Sequence, residues 1–272
     1  MTPDMTSDPD PIKALESYLS FLIDHDMLDV FADEAINHRL DISRAKPVAK
    51  PPTLSLVPQV KSDLLRSDTL KDFSLTEALA RAEAIALKLQ TLDELYEALE
   101  AFSDMPLRYE GAKTLVKGRG EIRPHWLILG DAPGLDEDEQ GLSFCGAQGR
   151  LLARIASSLG IDKTSYFSHS VFWRPAGNRP LTSEDLSLSA PFLKAMIRIC
   201  QPKGLILLGA SGAKALFSLN DGVQKLRQQA LIYQQIPIVT TYPPAFLLKN
   251  PAAKTLAWHD LISFVTTTTH HN

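Results

Sequence analysis

Residues 126–146 read WLILGDAPGLDEDEQGLSFCG, and the rest of the fold follows from this stretch. Four apolar residues and a glycine make a short run typical of a fully buried strand. The chain then turns through Asp131, Ala132 and Pro133 into a loop with further glycines at 134 and 141. Working outward, three more short apolar runs lie at 166–172, 204–209 and 236–241. Stretches with helical spacing lie at 148–159, 183–200, 211–218 and 250–265. Strands and helices that alternate in this way call for parallel strands covered by crossover helices. The expected class is therefore α/β: three α/β/α layers around a central, mainly parallel four-stranded sheet. In such sheets ligands bind outside the carboxyl ends of the strands, so the loops after 130, 172, 209 and 241 should carry the chemistry.

Upstream, Ser74 with Glu77 and Thr91 with Glu94 are capping-box pairs that open helices running to about 89 and 102. The expected organisation is an acidic tail and helical segment over 1–43, with residues 1–12 disordered and helical spacing over 13–37. A Pro-rich linker follows over 44–69, then a helical segment over 70–104 packing on the core. The α/β domain occupies 105–266, and 267–272 form a C-terminal tail.

The chain has 272 residues and a net charge of −4. That whole-chain balance counts against nucleic acid as a partner, but the halves differ. Residues 1–105 hold 10 Lys+Arg and 20 Asp+Glu, a net of −10; residues 106–272 hold 18 and 12, a net of +6. Such asymmetry reopens the question of nucleic acid. At 44% apolar and 22% charged the composition is globular, not disordered. The apolar run 205–210 is far too short to span a bilayer, and the acidic, Pro-interrupted start is unlike a signal peptide. Two cysteines, Cys145 and Cys200, make neither a disulfide framework nor a four-thiolate site. A cytoplasmic monomer without membrane association is expected.

The loops offer several candidate residues. Asp131 sits just past a strand end, where backbone can approach a ligand. The acidic run 136–139 reads as a solvated loop. Arg174 and Arg179 flank a Pro-Ala-Gly turn, either as a phosphate clamp or as two solvated cations. His169 lies inside a strand, where a histidine is usually a satisfied core residue. In TYPPAFLLKN (241–250) two prolines stiffen a loop that presents leucines and Lys249, either as core packing or as a wedge for unstacking bases. Neither GDAPGLDEDEQG nor GASGAKAL has the spacing of a common phosphate loop.

In order and spacing these loops resemble family 4 of the uracil-DNA glycosylase superfamily. GDAPGLDEDEQGLSFCG resembles that family's GEAPGxxEDxxGxPFVG. RPAGNRPLTSEDLSLSAPFL resembles its RPPGNRTPTPEE-like segment, and TTYPPAFLLKNPAAKTLAWHDL resembles its TFHPAYLLRxPxxKxxAWxDL ending. The resemblance implies a DNA-repair enzyme that cleaves the N-glycosidic bond of a deaminated or damaged base, uracil first. DNA would be its partner. It places Asp131 where the family has the glutamate that positions water, leaving a carboxylate one methylene shorter, and Phe144 where an aromatic stacks on the flipped base. Glu137 matches an acid of the first motif, with Ala132 also at the substrate. Arg174, Asn178, Arg179, Pro244, Leu247 and Lys249 fall on the DNA-contacting side, Leu247 in the place of an inserted leucine.

Three further departures alter the expected chemistry. His169 stands where the family has the asparagine that reads uracil's edge; it is expected to contact the base and to assist catalysis. Pro243 stands where the family has a histidine, and proline offers no donor. The four iron–sulfur cysteines are replaced by Phe102, Met105, Trp173 and Ser189, so no cofactor is expected. The alternative reading is a catalytically weak or silent relative that binds DNA through the basic C-terminal domain.

Overall fold

The computed structural model describes residues 74–270. The expected tail over 1–12, the helices over 13–37 and the linker over 44–69 lie outside the described residues.

Among the described residues six strands form one sheet: β1 (Arg119–Gly120), β2 (Trp126–Gly130), β3 (Ser165–His169), β4 (Gly204–Leu208), β5 (Leu231–Tyr233) and β6 (Ile236–Thr241). Their order is β1-β3-β2-β4-β6-β5. The four inner strands are parallel, and the two edges are antiparallel additions. The expected four-stranded centre thus acquires two short edge strands. β1 has only two residues, one of them glycine, and β5 has three, so neither carries a readable alternation. Gln234 and Gln235, both at positive φ (47° and 70°), turn β5 into β6. β3 stops at His169, short of the expected 172, where its partner β2 ends at Gly130; the Gly130 carbonyl takes the last rung from the Ser170 N–H and also accepts from the Ser170 hydroxyl, each at 2.8 Å.

Alternation divides the inner strands between two cores. Leu127, Leu129, Leu205 and Leu207 join one cluster with α1 (Leu75–Ala86), α2 (Leu92–Ala101) and α5 (Ser183–Cys200). Trp126 faces the other layer and meets Phe264 of α9 (Lys254–His270) edge-on at 5.6 Å. Ser74 and Thr91 cap α1 and α2 as their spacing predicts, each accepting from the N–H three residues on. Arg198 of α5 caps the far end of α1 by donating to the carbonyls of Ala86 (3.0 Å) and Leu89 (2.7 Å). Tyr96 ties α2 to the sheet through a 2.9 Å hydroxyl contact with Tyr166.

The remaining helices are α3 (Leu135–Gln140), α4 (Gly146–Ser158), α6 (Ser211–Phe217), α7 (Val223–Leu226) and α8 (Pro244–Lys249). Residues 267–270, expected in a tail, continue α9. Thr267 and Thr269 turn their hydroxyls back onto the carbonyls four residues earlier and so satisfy themselves within the helix. Among the described residues no helix is long and apolar enough to cross a membrane.

Candidate active site

A cleft of about 820 Å³ opens at the carboxyl ends of the parallel strands. Asp131, Ala132, Gln148, Asn178, Arg179, Ser211, Lys214, Leu248 and Lys249 are among its lining residues. Asp131 follows β2 directly, and its Oδ1 accepts from the Ser211 N–H at 2.8 Å. Gly209, at φ +118°, faces the carboxylate; any side chain there would collide with it. The carboxylate is thus held in place by backbone on its far side while it borders the cleft.

Glu137 and Asp138 are buried at 3% and 1% exposure, so the solvated-loop expectation fails for both. α3 turns these two inward and leaves Asp136 and Glu139 outside. Glu137 Oε2 accepts from the Gly134 N–H, and Oε1 accepts from the Phe144 N–H, each at 2.5 Å. His169 Nε2 lies 2.9 Å from the same Oε1. Burial works to raise the Glu137 carboxyl, but the His169 contact and the two backbone donors outweigh it and hold the group below its ordinary value. A depressed carboxyl contributes stability that is full above its unfolded value of about 4.3 and is lost as pH falls through the folded value. The melting temperature should therefore drop on acidification below about pH 4.3, and Glu137→Gln should flatten that dependence. An equally steep acid dependence in the variant would show that other carboxylates carry it.

Phe144 and His169 do not line the cleft. Their rings stack on one another, centroids 4.5 Å apart at 29°, at 3% and 4% exposure. A base needs about 7 Å between two flanking rings, twice the usual contact distance, so the aromatic face implied by the resemblance is covered by the imidazole. Nε2 must donate to the Glu137 carboxylate, and Nδ1 is buried with no hydrogen-bond partner among the described residues.

The phosphate clamp is also altered. Arg179 is engaged by two carboxylates, Glu110 at 2.6 Å and Asp185 at 2.7 Å, and this ion-pair triad consumes its fork. Arg174 donates to Asn178 Oδ1 at 2.8 Å and lies 4.0 Å from the buried Asp138. Both arginines therefore shape the turn, and Asn178 sits at φ +57° within it. Leu247, expected as the wedge, is 2% exposed; Phe246 and Leu248 are the exposed residues, at 40% and 45%. Pro244, at the first position of α8, and Leu247, three residues on, are the two buried residues of this short helix. Phe246 stacks on Tyr242 at 4.9 Å, and Arg227 lies over Tyr242 while pairing with Asp260 at 2.7 Å.

The model of the uracil DNA glycosylase superfamily matches residues 117–262, more than half of the chain and all the loops just described. The chain belongs to the uracil DNA glycosylase superfamily. Among curated proteins it is similar to the type-4 uracil-DNA glycosylase of Pyrobaculum aerophilum, 34% identical over 182 residues, covering 64% of this chain and 92% of that protein. It is also similar to the type-4 enzyme of Sulfurisphaera tokodaii (30% over 155 residues; 53% and 70%). The type-4 enzyme of Thermotoga maritima is 28% identical over 167 residues, covering 59% of this chain and 85% of that protein.

Family 4 membership implies an iron–sulfur cluster, and the residues of this superfamily member do not fit one. Phe102, Met105, Trp173 and Ser189 are all buried, and the Ser189 hydroxyl donates to Met105 Sδ at 3.9 Å. Phe102 meets Phe192 at 5.3 Å. Of the chain's two cysteines, Cys145 borders the cleft; Cys200 is buried in α5, its thiol pushed up to about 12 by burial. Neither can complete a four-thiolate set. The apolar residues instead pack α2 and the turn after it onto α5. Trp173→Ala should cost about 3–5 kcal/mol, read from the urea midpoint; a loss under 1 kcal/mol would mean that the site collapses around the gap.

Sequence reasoning missed Lys214, Gln148 and Arg119. Lys214 lies in the GASGAKAL segment after β4, whose spacing matches no common phosphate loop. Its place behind a parallel strand's carboxyl end was the available signal.

Proposed function

We propose that this protein hydrolyses the N-glycosidic bond of a deaminated base in DNA, uracil first. Asp131 would position the attacking water, and Phe144 would stack on the base. The observation that carries this reading is the Asp131 carboxylate at the cleft wall, next to Gly130, over which the tips of Phe144 and His169 converge. Base loss builds positive charge on the sugar and negative charge on the departing base. A fixed carboxylate beside the sugar stabilises the first and orients water toward it. A base that stacks on Phe144 must displace the imidazole. Moving the His169 ring breaks one hydrogen bond, the Nε2 contact with Glu137, because its other nitrogen has no partner among the described residues. Once displaced, it can present an N–H to a base oxygen. Lys214 and Lys249 border the cleft and supply phosphate attraction that weakens with salt.

The second reading, a DNA-binding relative with little or no catalysis, is favoured by the closed ring pair and by Pro243. Labelled oligonucleotides containing uracil, hypoxanthine or xanthine, single- and double-stranded, separate the two when assayed for alkali-labile abasic sites. Slow release from uracil is expected. Salt-sensitive binding with no abasic product from any substrate would establish the silent reading instead.

A further inference from the structure

The backbone at Phe144 is the most constrained point of the site. Phe144 has φ +56°, a left-handed conformation that costs a bulky residue roughly 1–3 kcal/mol, so neighbouring contacts must over-determine it. Its N–H donates to Glu137 at 2.5 Å. On its carbonyl side Arg119 Nη2 donates to Phe144 O at 3.1 Å, while Nε of the same guanidinium donates to Ser143 O at 2.9 Å. Gly149 gives that carbonyl its room, because any Cβ there would collide with it. The guanidinium lies 5.6 Å from the centre of the Phe167 ring, and Phe167 in turn meets Phe144 edge-on at 6.3 Å. One half-buried cation therefore grips two consecutive carbonyls and rests on the aromatic behind the Phe144 ring.

We propose that Arg119 is a positioning residue that clamps the left-handed Ser143–Phe144 turn and so fixes the ring on which the base stacks. The base-stacking part of this proposal rests on the glycosylase reading; the clamp itself does not. The guanidinium reaches the two carbonyls from two separate nitrogens, Nε and Nη2, held in one plane, a spacing that the single nitrogen of lysine does not reproduce. Lysine can reach one of them and keep the cation beside Phe167. A cation serving merely to attract phosphate would act equally on every sequence of DNA.

The test compares wild type, Arg119→Ala and Arg119→Lys on two duplexes, one plain and one carrying 2′-fluoro-2′-deoxyuridine, which resists base loss. Arg119→Ala should lose about tenfold of the preference for the modified duplex, the scale of one base–aromatic stack. Its affinity for the plain duplex and its salt dependence should stay unchanged, and Arg119→Lys should fall between. A second readout needs no substrate: Phe144 shields the His169 ring protons, giving an upfield proton NMR shift assigned by its absence in His169→Asn. That shift should collapse in Arg119→Ala and survive in part in Arg119→Lys. If Arg119→Ala does not fold, the lysine variant alone decides through both readouts. Loss of the shift without any wild-type preference would overturn the glycosylase reading and leave the clamp standing. An unchanged shift, or a fall confined to plain-duplex affinity, would overturn the clamp.

Discussion

Histidine in place of Pro243 is expected to raise the rate of uracil release by about 10²–10³, the usual worth of one donor aimed at a developing oxyanion. Pro243 precedes α8 at φ −71° and ψ 151°, values open to any residue and favoured before Pro244. The substitution therefore asks nothing new of the backbone. It restores a side-chain donor where proline has neither a donor nor an N–H. Single-turnover release from a uracil-containing strand is the measurement. An unchanged rate, with the fold intact, would mean that charge on the leaving base is already met by another group, His169 being the nearest candidate. His169→Asn in the same background then separates the two contributions.

Asp131→Ala should lower base release by about 10²–10⁴, the range for a positioned side chain that handles water. Affinity for plain DNA should not fall, since a carboxylate repels phosphate. The alanine variant also strands the Ser211 N–H, so Asp131→Asn is the necessary companion. Asparagine keeps the acceptor that holds Ser211 and removes only the charge. Equal losses in both variants assign the effect to the carboxylate's charge. Activity retained in Asp131→Asn would show that the group acts by geometry alone.

Much of the architecture was readable in residues 126–146 and the runs that echo them, because a parallel strand buried on both faces is written as a continuous apolar run. The two edge strands were not readable: Arg119–Gly120 and Leu231–Tyr233 are too short to show a period and exist only because an inner strand offers a free edge. Ser74 and Thr91 were legible as caps because capping is local. The burial of Glu137 was not, since four acidic residues in a row look solvated until α3 turns two of them inward.

The sequence by itself determined the superfamily, the crevice at the strand ends and the absence of a four-thiolate set, since each depends on residue identity and order. Only the tertiary structure decided that Phe144 and His169 cover each other, that Arg179 is consumed by Glu110 and Asp185, and that Leu248, not Leu247, faces outward. The physical reason is the same in each case. A side chain's availability depends on what burial and hydrogen bonding have already claimed from it, and the claimants include residues distant in the chain: Glu137 is 32 residues from His169, and Glu110 is 69 residues from Arg179, although Asp185 is only 6 away.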